Sequence, residues 1–314
     1  MSRRLLSLAG LALCAALALA GCGGGGGKPR PDLIFVSTKS GVYDIYAMNA
    51  DGKRQTRLTR GKRGNATSGL GVYYAMDPDW SHDGTKIAFW SARDVGPRIF
   101  VMDADGRNAH PISKASVGAV NPSWSPDGKR IVFGGGNPSQ LEIMNADGTG
   151  LHRVTTAPNV VVSETSPSWS PNGRWIAYVH AEQGRPIKEL WLVHPDGSDN
   201  HQLTNLQASL DSPAWSPDSK QIVFSSNARG DHFGILRVGQ GGIGIRVVSV
   251  TTIDEIDPAW SPDGKRIAYS RDGAIVTVDP DGSNEQVITS GKDNDSSPDW
   301  NPIQAPAKTS KGGD

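Results

Sequence analysis

The sequence predicts an all-β fold: a six-bladed β-propeller of four-stranded blades, with the ring closed by a C-terminal strand that completes the N-terminal blade. Three observations lead to this prediction. A Pro-x-Trp phrase recurs six times, with its tryptophans 40 to 46 residues apart. A second phrase, ending in Asp-Gly, recurs between copies of the first. Apolar and polar residues alternate in both phrases, as in half-buried strands. One propeller blade needs a repeat of about 40–50 residues.

Strand a, the first of each blade, is predicted in the Pro-x-Trp-Ser-Pro-Asp-Gly phrase. Its six tryptophans are Trp80, Trp124, Trp169, Trp215, Trp260 and Trp300. One aromatic residue at the same place in every repeat is typical of packing between blades, and we favour this interpretation over a row of ligand-stacking sites. In the turn that follows, proline presets φ, the Asp side chain caps the turn and glycine takes the left-handed conformation.

The other three strands follow in a fixed order. Strand b comes directly after the turn, as in Ile131-Val-Phe133, and strand c is the second phrase, as in Gln140-Leu-Glu-Ile-Met144. Strand d ends in Leu-Thr or its equivalent, such as Val154-Thr155. Between Trp215 and Trp260 the segment Gly234–Gly242 replaces the usual strand c and its turn. We therefore expect that blade to be the least regular.

The two ends of the repeat region complement each other. Leu33-Ile-Phe-Val36 resembles a strand b with no Pro-x-Trp before it, and Ser297 to Trp300 resembles a strand a with no blade after it. Three strands from one end and one from the other make a sixth full blade. Closure of this kind hides sheet edges that would otherwise pair between molecules.

The segment before the propeller predicts export and lipidation. Arg3 and Arg4 precede an apolar stretch that is too short to span a membrane, as in a secretory signal. Leu19-Ala-Gly-Cys22 resembles the bacterial lipobox, in which the cysteine is lipidated and becomes the new N-terminus. The alternative is an ordinary signal peptide with a chance cysteine. The predicted segments are 1–21 as signal, 22–31 as lipidated cysteine and Gly-rich tether, 32–303 as propeller, and 304–314 as disordered tail.

Composition limits the partners. Cys14 and Cys22 are the two cysteines, so the folded part has neither a disulfide nor thiol chemistry. Without the signal, 30 basic and 32 acidic residues remain, which argues against a nucleic-acid binder. We expect a monomer that meets the membrane through its lipid anchor alone. The anchor would lie on the outer face of the plasma membrane or the periplasmic side of the outer membrane.

The combined pattern Pro-x-Trp-Ser-Pro-Asp-Gly-x-x-Ile-x-Phe, Ile-Tyr-x-Met-x-x-Asp-Gly and Leu-Thr resembles the TolB-type propeller repeat. The resemblance covers residues 33 to 302. It implies the propeller fold and a partner segment that docks at the channel mouth, but it transfers no individual binding residue. Similar blades occur in prolyl-oligopeptidase-like peptidases and in some polysaccharide lyases, so the fold does not settle the function.

Two classes of enzyme lack their motifs here. The sequence has no Gly-x-Ser-x-Gly elbow, which a prolyl-oligopeptidase-like peptidase needs, and no Gly-x-x-x-x-Gly-Lys phosphate loop. We therefore predict a non-catalytic scaffold that binds an envelope protein or peptide. The alternative is a polysaccharide lyase or other carbohydrate-active enzyme that uses histidines on the channel-mouth face.

Candidate site residues are sought where the repeats differ. In a propeller the d–a and b–c loops share one face, and we expect the acids of the d–a segments to converge there as a site for a cation or basic peptide. The alternative is a solvated acidic rim. The candidates are Asp77, Glu164, Asp211, Asp254, Glu255, Asp257 and Asp295, with Tyr73 and Tyr74 from the long loop 60–76 and His180 and His232 from b–c loops. No acids have a spacing that a metal demands, so we predict no cofactor; calcium stays open without support.

Overall fold

The computed structural model describes residues 30–61, 74–92, 96–114, 118–156 and 161–303. The predicted signal, Cys22, the tail and most of the long loop, with Tyr73, lie outside these residues. The described chain forms six antiparallel sheets of four strands each and contains no helix. It therefore has no helix that could cross a membrane. The predicted six-bladed, all-β architecture is confirmed.

Within each blade the strands are given from the channel outwards. Blade 1 consists of β24 (Ser296–Trp300), β1 (Leu33–Ser37), β2 (Asp44–Met48) and β3 (Thr56–Arg57). Blade 2 consists of β4 (Ala75–Trp80), β5 (Lys86–Ser91), β6 (Arg98–Asp103) and β7 (His110–Pro111). Blade 3 consists of β8 (Val120–Trp124), β9 (Arg130–Gly135), β10 (Gln140–Asn145) and β11 (His152–Arg153). Blade 4 consists of β12 (Val162–Trp169), β13 (Ile176–Glu182), β14 (Lys188–Val193) and β15 (His201–Gln202). Blade 5 consists of β16 (Leu210–Trp215), β17 (Gln221–Ser226), β18 (Gly234–Gly239) and β19 (Arg246–Ser249). Blade 6 consists of β20 (Glu255–Trp260), β21 (Ile267–Arg271), β22 (Ala274–Val278) and β23 (Gln286–Val287).

Blade 1 closes the ring as predicted. Strand β24 pairs antiparallel with β1, and Leu33 lies opposite Trp300. The loops nearby add further contacts, since the Thr38 hydroxyl and amide both donate to the Asp293 carbonyl at 2.6 and 2.8 Å. The described chain enters on the opposite side of this blade, where the Asn301 amide donates to the Asp32 carbonyl at 2.8 Å.

The ring has two distinct ends. We call the end with the d–a and b–c loops the mouth face, and the end with the a–b and c–d turns the turn face. Strand a runs from the mouth face to the turn face along the central channel, so the residue before its proline lies near the mouth. The tryptophan at the end of each strand a lies near the turn face.

The hydrophobic core lies between blades rather than in one centre. Trp169 of blade 4, for example, packs with Val132 and Ile143 of blade 3. The six repeat tryptophans occupy equivalent places and also border the channel where it opens at the turn face. Trp80 is 4% exposed and Trp124 is 7% exposed. Burial of large aromatic side chains at each joint makes the ring rigid.

The c–d turns add a backbone contact at these joints. Gly197 has a φ of +84°, and a Cβ there would lie 2.6 Å from the Val154 carbonyl oxygen of the preceding blade. Gly242 in blade 5 meets the Leu203 carbonyl in the same way. Blade 5 therefore keeps this contact, and its departure from the pattern is a register shift at Ile235 and Leu236 in the pairing of β18 with β19.

We expect Gly197→Ala to destabilise the propeller clearly, because the new Cβ would force blades 3 and 4 apart as well as strain the backbone. Gly184→Ala is the matched control: its φ is +82°, but a Cβ there would have no neighbour within 4 Å. The control should lose about 1–2 kcal/mol of unfolding free energy, and Gly197→Ala should lose distinctly more in the same urea titration. Equal losses would show that the glycine is needed for its φ alone.

Candidate functional site

The residue before each proline of strand a adopts an unusual conformation. All six have left-handed φ values, between 47° and 54°, and in all six blades the pairing of strand a with strand b shifts register at this residue. Such a bulge redirects a side chain, and here it borders the channel with short polar groups. These residues form what we call the mouth ring: Asp77, Asn121, Ser166, Ser212, Asp257 and Ser297.

Hydrogen bonds join neighbouring members of the mouth ring. The Asn121 amide donates to Asp77 at 2.7 Å, and the Trp90 indole N–H donates to the same oxygen at 2.6 Å. The Ser212 hydroxyl donates to Asp257 at 2.8 Å. On the remaining side the ring continues through Ser166, which donates to Asp211 of the next blade at 2.8 Å.

Ser297 lies between the two carboxylates of the mouth ring. Its hydroxyl oxygen is 3.2 Å from Asp77 Oδ1 and 3.3 Å from Asp257 Oδ2. A hydroxyl has one proton, so it can donate to one of these carboxylates at a time. A proton on Asp257 would supply the missing donor, so that both carboxyl groups could form a hydrogen bond with Ser297. Burial, and then the charge of Asp77, raise the pKa of Asp257 to about 6.

A second ring of side chains lies one layer deeper, at the x of Pro-x-Trp. The Asp79 carboxylate accepts the Trp124 amide at 2.7 Å, and the Asp299 carboxylate accepts the Trp80 amide at 2.8 Å. Each bond crosses from one blade to the next. Burial raises the pKa of both carboxyl groups, and the charge of Asp299 raises that of Asp79 further. The channel therefore holds two layers of carboxylates that are costly to ionise together.

Three of the predicted channel-mouth acids do not reach the channel. Glu164, Glu255 and Asp295 are 2%, 0% and 5% exposed. Glu164 accepts the hydroxyl of Thr155 in the Leu-Thr phrase, and Glu255 accepts that of Ser249 at 2.8 Å. Our expectation that these acids converge at the mouth is wrong, because their side chains turn outwards to bind strand d.

The same arrangement recurs with acids that the sequence analysis did not single out. The Thr59 hydroxyl donates to Asp44 at 2.8 Å, and the Thr204 hydroxyl donates to Glu189 at 2.6 Å. Each threonine oxygen also accepts a strand c amide, such as Ile45 N at 2.9 Å. Two sequence features together indicate this arrangement. One is the threonine of the Leu-Thr phrase, and the other is an acid in strand c or in the following d–a segment. These acids stabilise the blades because their burial is offset by donors.

The other predicted residues are dispersed over the mouth face. Tyr74 packs edge-on against Trp90, with ring centroids 5.3 Å apart. His180 lies 3.3 Å from Glu164 and against Trp191, whereas His232 lies near Asp254 at 3.4 Å in the next blade. The structure does not bring the two histidines together. Among the described ranges, no three His, Cys, Asp or Glu side chains are arranged to hold a metal ion.

A groove borders the mouth, close to blades 5, 6 and 1, and three of the predicted residues line it: His232, Asp254 and Asp295. It encloses a cavity of about 500 Å³. Three apolar side chains that are about two-fifths exposed line it: Tyr43, Ile253 and Ile256. Asp254 and Asp272 add carboxylates to its wall. The lining guanidinium of Arg271 already binds Glu285 at 2.6 Å and Glu255 at 3.3 Å. The groove thus offers apolar surface beside negative charge.

Comparison with known proteins places this architecture in a family. The model of the TolB beta propeller domain matches residues 29–219 and 188–305, nearly the whole repeat region. The chain belongs to the TolB β-propeller family. No curated protein sequence matches this TolB-family chain.

Solved structures share the fold at low identity. TolB from Acinetobacter baumannii superposes with a TM-score of 0.73 at 18% identity, over 88% of this chain and 68% of that one. A chain of the nidogen/laminin complex gives 0.70 at 12%, over 87% and 99%. Oligogalacturonate lyase from Vibrio parahaemolyticus gives 0.55 at 14%, over 83% and 74%. Identities this low show the fold of a TolB-family propeller and leave its ligand open.

The raised pKa of Asp257 makes stability depend on pH. The folded chain holds this proton more tightly than the unfolded chain, so its contribution favours folding at low pH and is lost as pH rises through about 6. Asp257→Asn should therefore gain stability relative to the parent between about pH 5 and pH 8, by about 1–2 kcal/mol. Urea unfolding at the two pH values measures this difference.

Asp281→Asn is the control for this titration. The Ser283 hydroxyl and amide lower the pKa of that exposed carboxyl, so it stays charged over the same range. Its substitution should shift stability equally at both pH values. A parent-to-variant difference for Asp257→Asn that is the same at both pH values would contradict the assignment.

Proposed function

We propose that this protein is a non-catalytic scaffold of the cell envelope that binds an extended segment of a partner protein at its mouth face. The observation that carries the proposal is the groove lined by Tyr43, Ile253 and Ile256 beside the channel mouth. Half-exposed apolar side chains around a cavity are costly to leave in water, and they are typical of interaction sites. Membership of the TolB family supports an envelope role.

Charge selects the partner segment. Asp254 and Asp272 line the groove, while Asp77 and Asp257 lie in the adjacent channel. The nearby cation Arg271 is already bound by two glutamates. A segment with apolar side chains followed by Lys or Arg would fill the groove and place its positive charge over the mouth ring. We therefore propose a basic, apolar, extended peptide as the ligand.

The lyase alternative gains no specific support from the mouth face. The two histidines on which it depends lie in different blades, and His180 is held by Glu164. The likeness to oligogalacturonate lyase is one of fold. A scaffold needs what the described residues supply: a rigid ring, a groove and a charged channel mouth.

A photo-crosslinking amino acid at position 253 tests the groove directly. Expressed in cells, it should capture one partner, whose crosslinked peptide should be basic and apolar. The same crosslinker at Val287 is the control, since Val287 lies in the same blade, is 60% exposed and is distant from the groove. Ile256→Glu should abolish the crosslink at 253 because it places a charge in the apolar wall. Equal capture at both positions, or none at 253, would overturn the proposal.

We further propose that a lipid on Cys22 holds the scaffold at the membrane. Cys22→Ala should then lose the radiolabelled fatty acid that the parent chain incorporates in cells, because the thiol that would carry the lipid is gone. Cys14→Ala is the matched control, since Cys14 lies within the predicted signal. It should leave incorporation of the fatty acid unchanged. Incorporation of the fatty acid into Cys22→Ala would disprove lipidation at this cysteine.

A further inference from the structure

A second cavity lies between blades 3 and 4 on the turn face, far from the groove. It encloses about 500 Å³. Four of its lining side chains carry nitrogen donors: Arg130 and His152 from blade 3, and Arg174 and His194 from blade 4. One carboxylate, that of Asp196, lines the same cavity. The walls of this cavity therefore present nitrogen groups from both blades.

Arg130 owes its freedom to one substitution in the repeat. In blade 2 the cation at the same strand b position, Lys86, binds Asp103 across the strand pair at 2.5 Å. In blade 6 Arg266 binds Asp279 at 3.6 Å. In blade 3 the residue opposite Arg130 is Asn145, which has no charge. The Arg130 guanidinium instead lies over the Trp169 ring, 4.9 Å from its centroid.

Blade 4 lacks the turn acid that lies beside the equivalent cation of other blades. Asn172 precedes Arg174, whereas Asp218 lies 3.7 Å from Lys220 and Asp263 lies 3.9 Å from Lys265. The acid at the end of strand c is also replaced. His194 follows strand β14 at the place that Asp103 and Asp279 occupy in their blades, and it stacks on Trp175 with centroids 3.9 Å apart. The neighbouring acids are engaged in their own turns: Asp196 accepts the Ser198 hydroxyl at 2.6 Å, and Asp127 accepts the Ser125 hydroxyl at 2.6 Å. Within the described chain, the guanidinium groups of Arg130 and Arg174 form no ion pair with a carboxylate.

Backbone carbonyls determine which ring nitrogen carries the proton in the two histidines of this cavity. His194 Nδ1 lies 2.6 Å from the Arg174 carbonyl, and His152 Nδ1 lies 2.9 Å from the Gly150 carbonyl. Since a carbonyl only accepts, each Nδ1 carries a proton, and each Nε2 can donate only when the ring is charged. The Asp199 carboxylate lies 3.8 Å from His194 Nε2. Donors from several directions suit a tetrahedral oxyanion better than a planar carboxylate, which one guanidinium can satisfy.

We propose that this cavity binds a tetrahedral oxyanion, a phosphate or sulfate group, between the guanidinium groups of Arg130 and Arg174. The described chain begins on the same face: the Asp32 carboxylate accepts the Ala50 amide of a c–d turn at 2.9 Å. If Cys22 carries a lipid, the cavity would lie near the membrane, and a phospholipid headgroup could supply the phosphate. The site itself does not depend on that anchor.

The test uses the full chain with Cys22→Ala and sodium sulfate as the probe, in isothermal titration calorimetry. Saturable binding is expected, because two guanidinium groups that form no ion pair within the described residues line one cavity. Arg130→Gln/Arg174→Gln should weaken binding at least tenfold. The control Arg266→Gln/Lys220→Gln removes the same charge at the same two repeat positions of other blades and should bind as the parent does.

Flotation with vesicles distinguishes the sources of the group. Binding to phosphatidylglycerol vesicles that the Arg130/Arg174 variant loses and the control keeps would identify a lipid headgroup; sulfate binding without vesicle binding would identify a soluble phosphate or sulfate ester. Absence of saturable sulfate binding would overturn the proposal. Equal loss in both double variants would also overturn it, because net charge rather than this cavity would then be responsible. Neither result bears on the groove at the mouth face.

Discussion

Pairing of β24 with β1 is the contact on which the rest of the structure depends. It joins residues 296–300 to residues 33–37 across almost the whole folded chain. Only after this pairing does Ser297 lie between Asp77 and Asp257, and only then can Asp299 accept the Trp80 amide. The charge pattern of the channel is therefore a product of ring closure, and not a property of any single blade.

Closure also separates the carboxylates into two groups with different roles. Glu164 and Glu255 each accept a hydroxyl from strand d, and Glu255 also lies 3.3 Å from the Arg271 guanidinium. Burial nevertheless raises the pKa of Glu255. Asp77 and Asp257 share one serine proton, and Asp79 faces the charge of Asp299. Carboxylates from different blades therefore repel one another in the channel. A positive group at the mouth would relieve their repulsion, which is why we place the partner's charge there.

The repeats were sufficient to predict the number of blades, their strand order and the closing strand, because each depends on the period and on local turn chemistry. They did not predict which acids enter the channel. Glu255 and Asp257 lie two residues apart on β20, so simple alternation places both on one face. The left-handed φ of 54° at Asp257 and the register shift beside it send the two side chains in different directions. A bulge of this kind has no signature in hydrophobic periodicity. The predicted residues His232, Asp254 and Asp295 line the groove, but its apolar side was missed because Tyr43 comes from a loop that is distant in sequence from Ile253 and Ile256.

The blades differ from one another in loop length on the mouth face and in single residues on the turn face. This difference determines how a binding site can arise on each face. Loops on the mouth face differ freely in length, so a groove can form there from residues such as Ile253 and Tyr43 that no repeat requires. The turn face is constrained by its Asp-Gly turns, whose glycines contact the preceding blade. A new site can arise there only by exchange of single residues within an intact turn. Asn145 and Asn172 are such exchanges. Asn145 lies opposite Arg130, where blade 2 has Asp103, and Asn172 precedes Arg174 in the turn, where blades 5 and 6 have an aspartate. Together they leave the cations of one joint available to a ligand.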